Sequence, residues 1–211
     1  MKIFIAGCAR SGTDLLKHLM KCFSGVLVWP SEHTALELEG IRDSTHTVVM
    51  KRTAQDYLTL HKLSADIELL YCVRHPFDCL TSSHPGSVGT RRFHVTENRW
   101  RGEYEAFRIL RLKQPQRRIC IVKYEDLVSC PNETQVIIAK QFMLEKEYQF
   151  TDNPDGRRIS TSSIRKWTRD SQLLSYLYAF DPSFQGKMRQ FCEEFGYEVS
   201  NKADPSLCQF K

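Results

Sequence analysis

The sequence has no long apolar stretch. Runs such as Ile67 to Val73 are broken by Glu68, far short of the roughly 20 residues a membrane-spanning helix requires, so no segment is expected to cross a bilayer. It has no C-x-x-C pair and no Cys/His cluster at metal-ligand spacing, which speaks against a zinc centre, and no metal is expected. Repeats, low-complexity tracts and Pro/Gly-rich linkers are also missing, which leaves no boundary at which to divide the chain, and 1–211 reads as one domain. Eight cysteines in 211 residues would suit a disulfide scaffold only in a much smaller secreted chain. Cys8, Cys72 and Cys120 fall in or beside expected core strands, where a thiol acts as a small apolar group. Reduced thiols and a cytoplasmic location are therefore expected. The opening Met1 to Cys8 resembles a lipoprotein signal only superficially: its apolar part is too short and Arg10 follows at once, so it reads as a strand. On the same grounds the Asn132-Glu133-Thr134 sequon reads as chance.

What is present is the composition of an ordinary globular domain: 41% hydrophobic, 11% aromatic and 26% charged residues, in a chain long enough to bury roughly 70% of its unfolded surface. Disordered, collagen-like and coiled-coil classes are excluded. The net charge of +5 is mild but uneven, because nine Lys/Arg face three acids between His84 and Arg118. A solvated helix face and a surface that attracts an anion both fit that stretch, and charge alone does not choose. Nothing points to nucleic acid.

Apolar runs rich in Ile, Val, Phe and Tyr recur at 2–7, 25–29, 45–51, 67–74 and 118–124, with helical patterns at 14–23, 54–63, 76–82, 96–112, 133–142 and 182–195. Pro76 and Pro182 suit a first helical turn, where a missing N–H costs nothing. Strands apolar on both faces and alternating with helices imply a three-layer α/β domain. Its centre would be a parallel sheet of about five strands with helices on both faces, and ligands at the carboxyl ends of the strands.

Directly after the first strand comes Gly7-Cys8-Ala9-Arg10-Ser11-Gly12-Thr13-Asp14. A glycine-bracketed loop carrying a cation, between strand and helix, lets backbone N–H groups converge on an oxyanion. A phosphate-transferring P-loop would need Gly-Lys followed by Ser or Thr, but Thr13 and Asp14 stand at those places. The strand 67–73 also lacks a terminal Asp to hold magnesium. A second anion site is expected where Arg74 ends a strand, with Ser82 two helical turns further on returning its hydroxyl to the same ligand.

Four segments in order resemble the sulfotransferases that use 3'-phosphoadenosine 5'-phosphosulfate (PAPS). Arg10-Ser11-Gly12-Thr13 is similar to the family's 5'-phosphosulfate loop. Cys72-Val73-Arg74-His75-Pro76-Phe77-Asp78, followed by Ser82, is similar to its 3'-phosphate segment. Lys123-Tyr124-Glu125-Asp126-Leu127 matches a Y-E-D-L that ends a central strand, and Ser163-Ile164-Arg165-Lys166-Trp167 resembles the late segment that closes over the nucleotide. The resemblance implies a P-loop-nucleotide-kinase-like fold and sulfuryl transfer from PAPS to an acceptor hydroxyl. Arg10, Ser11, Gly12, Thr13 and Asp14 would meet the 5' end, and Arg74, Ser82, Arg165 and Lys166 the 3'-phosphate. Tyr124 and Trp167 would lie beside the nucleotide, although both also read as packing residues. His75 reads as a structural donor, and Glu125 and Asp126 as pins for the loop.

The departures matter as much. Asp14 stands where many members have a second threonine, Leu15 where many have a tryptophan, and Arg165 where glycine is usual. The histidine base of cytosolic members is absent, since the corresponding segment reads Lys51-Arg52-Thr53. Heparan- and tyrosine-type members instead use a glutamate after the second strand. By that resemblance Glu32 is the expected base, partly buried, with His33 and Glu37 in reserve and Arg10 and Lys51 at the departing oxygen. Without the resemblance Glu32 reads as an acid at a helix start. Two other functions stay open: a nucleotide- or polyanion-binding module that has lost catalysis, and a small-molecule kinase. The basic stretch favours an acidic acceptor such as a glycan, and Trp100 with Arg99 and Arg101 either borders the acceptor pocket or faces solvent. Oligomeric state is not legible.

Overall fold

The computed structural model describes residues 1–42, 45–54, 56–84, 89, 92–153 and 159–198. Five parallel strands form one sheet in the order β2-β3-β1-β4-β5, with β1 Lys2–Gly7, β2 Val26–His33, β3 Thr47–Arg52, β4 Ile67–Val73 and β5 Ile119–Lys123. The α-helices are α1 Thr13–Leu19, α2 Ala35–Glu39, α3 Pro76–Leu80, α4 Glu97–Lys113, α5 Tyr124–Ser129, α6 Pro131–Phe142, α7 Ser171–Tyr178 and α8 Pro182–Phe195. The α/β architecture is the one expected.

Alternation along the central strands sorts the core into two layers. Phe4 and Ala6 of β1, Val48 and Met50 of β3, and Leu69, Tyr71 and Val73 of β4 face Trp100 and Phe107 of α4 and Phe184 and Phe191 of α8. Ile3, Ile5, Val49, Leu70 and Cys72 take the opposite face with Leu16, Leu19, Ile138 and Phe142. Successive strand residues point to opposite faces, so burial on both sides demands an unbroken apolar run, and β1 is buried over its last five residues. The described cysteines are free thiols, and Cys8, Cys72 and Cys120 are buried in these layers. Among the described residues no helix is long and apolar enough to cross a membrane.

Several boundaries differ from expectation. β2 continues to His33 through Pro30, with a register shift between Val28 and Glu32. A proline survives there because β2 is an edge strand with a free side, so Glu32 and His33 end the strand rather than follow it. The segment expected as a helix at 54–63 is a 3-10 helix over Asp56–Lys62. The first helix stops as an α-helix at Leu19 and finishes as a 3-10 turn over Met20–Cys22. Three helices were not expected. α2 is announced by a capping box, in which the Thr34 hydroxyl accepts from the Glu37 N–H and the Glu37 carboxylate accepts from the Thr34 N–H. α5 begins inside the Y-E-D-L segment, and α7 is capped by Asp170.

β1 leads through α1 to one edge of the sheet and β4 leads through α3 and α4 to the other, so β1 and β4 flank the point where the chain reverses its winding. The crevice beyond their carboxyl ends is where such sheets hold ligands.

Candidate active site

A cleft of about 650 Å³ opens at that point and takes its walls from the β1–α1 loop, the ends of β2 and β3, Arg74 beyond β4, Tyr124, and the start of α4. The loop is shaped by two left-handed residues, Arg10 at φ 70° and Gly12 at φ 96°. A side chain at Gly12 would place its Cβ 2.5 Å from Tyr124 Cδ2, so only glycine lets the tyrosine pack on the loop. Arg10 adopts a conformation sparsely populated for non-glycine residues, and its neighbours hold it there. The Arg74 guanidinium donates to the Arg10 carbonyl at 2.9 Å, and Arg10 Nε donates to Ser82 Oγ at 2.9 Å.

These bonds place the side chains expected at the two anion sites next to each other. Arg74 also donates to the Ser163 carbonyl at 2.8 Å and lies over the Tyr124 ring at 4.2 Å, while the Tyr124 hydroxyl bonds Ser163 Oγ at 2.8 Å. Lys166 Nζ donates to the Thr81 carbonyl at 2.6 Å. Burial and the like charges of Arg74 and Arg10 hold the Lys166 ammonium below the ordinary lysine range. Burial and Arg74 likewise hold Arg10 below the ordinary guanidinium value. Two cations held down by burial and by like charge close by are an electrostatic demand for an anion. Two buried polar atoms, Ser11 Oγ and Arg74 Nε, have no partner among the described residues.

At the opposite end of the cleft, Lys51 Nζ lies 2.6 Å from Glu32 Oε1 and 3.7 Å from Asp14 Oδ1. Glu32 was expected to be partly buried, yet its side chain keeps 46% of its surface in solvent because β2 is the outer strand. Its placement beside Lys51 follows from the parallel register that pairs Glu32 with Lys51. His33 does not line the cleft: its ring packs edge-on against Trp29 at 5.1 Å and its Nδ1 faces Glu37 at 3.4 Å. Glu37 is occupied by its capping box, and the Thr34 N–H and hydroxyl hold its carboxyl below the usual range.

The late segment is split in its roles. Trp167 is not at the cleft; it stacks on His75 at 5.3 Å and meets Phe77 edge-on at 5.0 Å. Arg165 points its guanidinium at Glu198, 2.6 Å away, while its left-handed backbone donates an N–H to Asp78 Oδ2 at 2.9 Å. Burial raises the Asp78 carboxyl, although the Arg165 N–H opposes the shift. His75 caps α3, its Nδ1 accepting from the Phe77 N–H at 3.2 Å, and burial holds its ring down to about 4. Glu125 pins the neighbouring turn by accepting from the His75 N–H and the Tyr197 hydroxyl. Trp100 neither borders a pocket nor meets solvent: it is buried against Phe184 and Phe191.

Glu103 has no counterpart in the sequence reading. From α4 it accepts from the Ala9 N–H at 2.8 Å, from Arg52 at 2.7 Å and from Arg99 Nε at 3.2 Å. Arg52 in turn donates to the Gly7 carbonyl. A glutamate amid apolar positions of a long helix was the available signal, since burial of such a group demands partners.

No protein-family model matches the chain, and no curated protein matches it. Solved structures do. The sulfotransferase domain from the curacin biosynthetic pathway superposes with a TM-score of 0.64 at 16% identity, over 94% of this chain and 98% of that one. The sulfotransferase domain from the Synechococcus PCC 7002 olefin synthase gives 0.61 at 17% identity, over 95% of this chain and 96% of that one. The chain has the fold of these domains over nearly its whole length.

Proposed function

From this fold and this cleft, we propose that the protein is a sulfotransferase that takes the sulfuryl group of PAPS to an acceptor hydroxyl, with Glu32 as the base. The observation that carries the reading is the juxtaposition of three cations: Arg10 and Arg74 line the cleft and are joined by the Arg74 bond to the Arg10 carbonyl, and Lys166 is bonded to the Thr81 carbonyl beside Ser82, the acceptor of Arg10 Nε. A nucleotide with phosphates at both ends matches such a site, and a single inorganic anion would leave part of it unpaired.

In the proposed mechanism, Ser11, Gly12 and Thr13 receive the 5' end at the loop, and Arg74, Ser82 and Lys166 receive the 3'-phosphate. Arg165 reaches that phosphate only by leaving Glu198. The nucleotide supplies the activated sulfuryl group and departs as adenosine bisphosphate. Glu32 accepts the proton of the acceptor hydroxyl as the oxygen attacks sulfur in line, and Lys51, already 2.6 Å from that carboxylate, both orients the base and neutralises charge on the departing oxygen. Arg10 has only its Nε engaged among the described residues, so its outer nitrogens are free for the same oxygen.

The test is thermal stabilisation by 3',5'-adenosine bisphosphate, which at 100 times Kd adds about 2.7 kcal/mol. Absence of any shift at millimolar ligand removes the reading, and a shift with magnesium-ATP alone favours a kinase. Asp14, lining the cleft where a threonine is usual, favours the second reading of a catalytically silent binding module. That reading predicts binding without transfer and indifference to Glu32→Gln.

A further inference from the structure

The wall formed by α4 carries a charge imbalance that the nucleotide does not use. Glu103 is 1% exposed and stands between two guanidiniums, those of Arg52 and Arg99. One carboxylate shared by two permanently charged groups leaves the triad with one positive charge in excess. Arg52 cannot offer that charge outward, because its nitrogens are engaged by Glu103 and by the carbonyls of Gly7 and Thr53. Arg99 can. It lines the cleft, only its Nε is engaged, and its two terminal nitrogens bond no described residue. The imidazoles of His84 and His94, with ring centres 4.6 Å apart, line the same cleft. Across the cleft the balance reverses, with Lys51 between the carboxylates of Asp14 and Glu32.

Resting on the sulfotransferase reading, we propose that the outward face of Arg99, held in place by Glu103, is a subsite for an anionic oxygen group on the acceptor: a carboxylate, sulfate or phosphate carried on the molecule whose hydroxyl meets Glu32. A planar fork with free terminal nitrogens binds such groups through two bonds. A neutral acceptor would leave the terminal nitrogens of a guanidinium that is only 21% exposed without an acceptor among the described residues, at a cost in affinity. On the sulfotransferase reading the nucleotide's phosphates are met by Arg10, Arg74 and Lys166.

The experiment compares matched probes on protein saturated with adenosine bisphosphate: 4-hydroxyphenylacetate against 4-hydroxyphenylacetamide, and glucuronate against glucuronamide, by calorimetric titration. The anionic member of at least one pair should bind about tenfold tighter, the worth of one charge-assisted contact. Arg99→Met should bring that ratio near one, Arg99→Lys should keep part of it, and both variants should retain the stabilisation by adenosine bisphosphate. Equal binding within both pairs overturns the proposal, as does discrimination that survives in Arg99→Met. Loss of nucleotide stabilisation in Arg99→Met would assign the arginine to the nucleotide instead, and also overturns it. Failure of the underlying reading is distinct: the wild-type protein would then not be stabilised by the nucleotide at all.

Discussion

Lys51 and Arg52 are neighbours on β3, yet each is the hub of a different ion triad. Strand geometry sends Lys51 toward α1, where it meets Asp14 and Glu32, and Arg52 toward α4, where it meets Glu103 and through it Arg99. The first triad is rich in carboxylate, with Asp14 and Glu32 about half exposed; the second is rich in guanidinium, with its one carboxylate, Glu103, at 1% exposure. In water an ion pair contributes little to stability, so its members are available for chemistry. Within the core, loss of one member strands the others, so the same kind of pair becomes scaffold.

Substitutions on the two sides should therefore separate activity from stability. The largest effect is expected from Glu32→Gln, which on the proposed mechanism lowers kcat by roughly 10²- to 10⁴-fold while shifting the unfolding free energy by less than about 1 kcal/mol; steady-state rates and urea unfolding on the same preparation check both halves. Glu103→Ala should do the reverse first, costing about 3–5 kcal/mol in urea unfolding because Arg52 and the Ala9 N–H lose their partner. A Glu103→Ala protein as stable as the wild type would erase the distinction between the triads.

A third prediction concerns His75, buried at the start of α3. His75 is held neutral by burial, its value down to about 4 from 6.5. The native state must exclude a proton that the unfolded chain accepts, so stability is full above about pH 6.5 and falls as pH drops toward 4, by on the order of 3 kcal/mol. His75→Asn, which keeps a capping acceptor for the Phe77 N–H, should flatten that part of the pH–stability curve. The smallest effect is expected at the surface pair Arg165–Glu198: Arg165→Ala should change unfolding stability by no more than about 1 kcal/mol. It should also weaken adenosine bisphosphate binding less than Arg74→Ala, since Arg165 starts bound to Glu198 whereas Arg74 is buried in the crevice.

The strands and the glycine-bracketed loop were legible because each rests on local rules. Doubly buried strands need unbroken apolar runs, and a loop that presses a tyrosine against its backbone needs Gly12. Trp167 was not legible as a core residue, because a tryptophan after two cations fits a ligand platform as well as it fits a stack on His75. The 3-10 form of 56–62 was equally hidden, since periodicity over seven residues does not separate it from an α-helix.

By itself the sequence determined the layered architecture and the make-up of the loop after the first strand, because apolar period and loop composition act over a few neighbouring positions. Only the tertiary structure decided which charges share a partner. The pairing of Glu32 with Lys51 depends on strand register, and that of Glu103 with Arg52, Arg99 and the Ala9 N–H depends on how α4 crosses the sheet. Coulombic balance is a sum over groups brought together from distant parts of the chain, and no local pattern contains it.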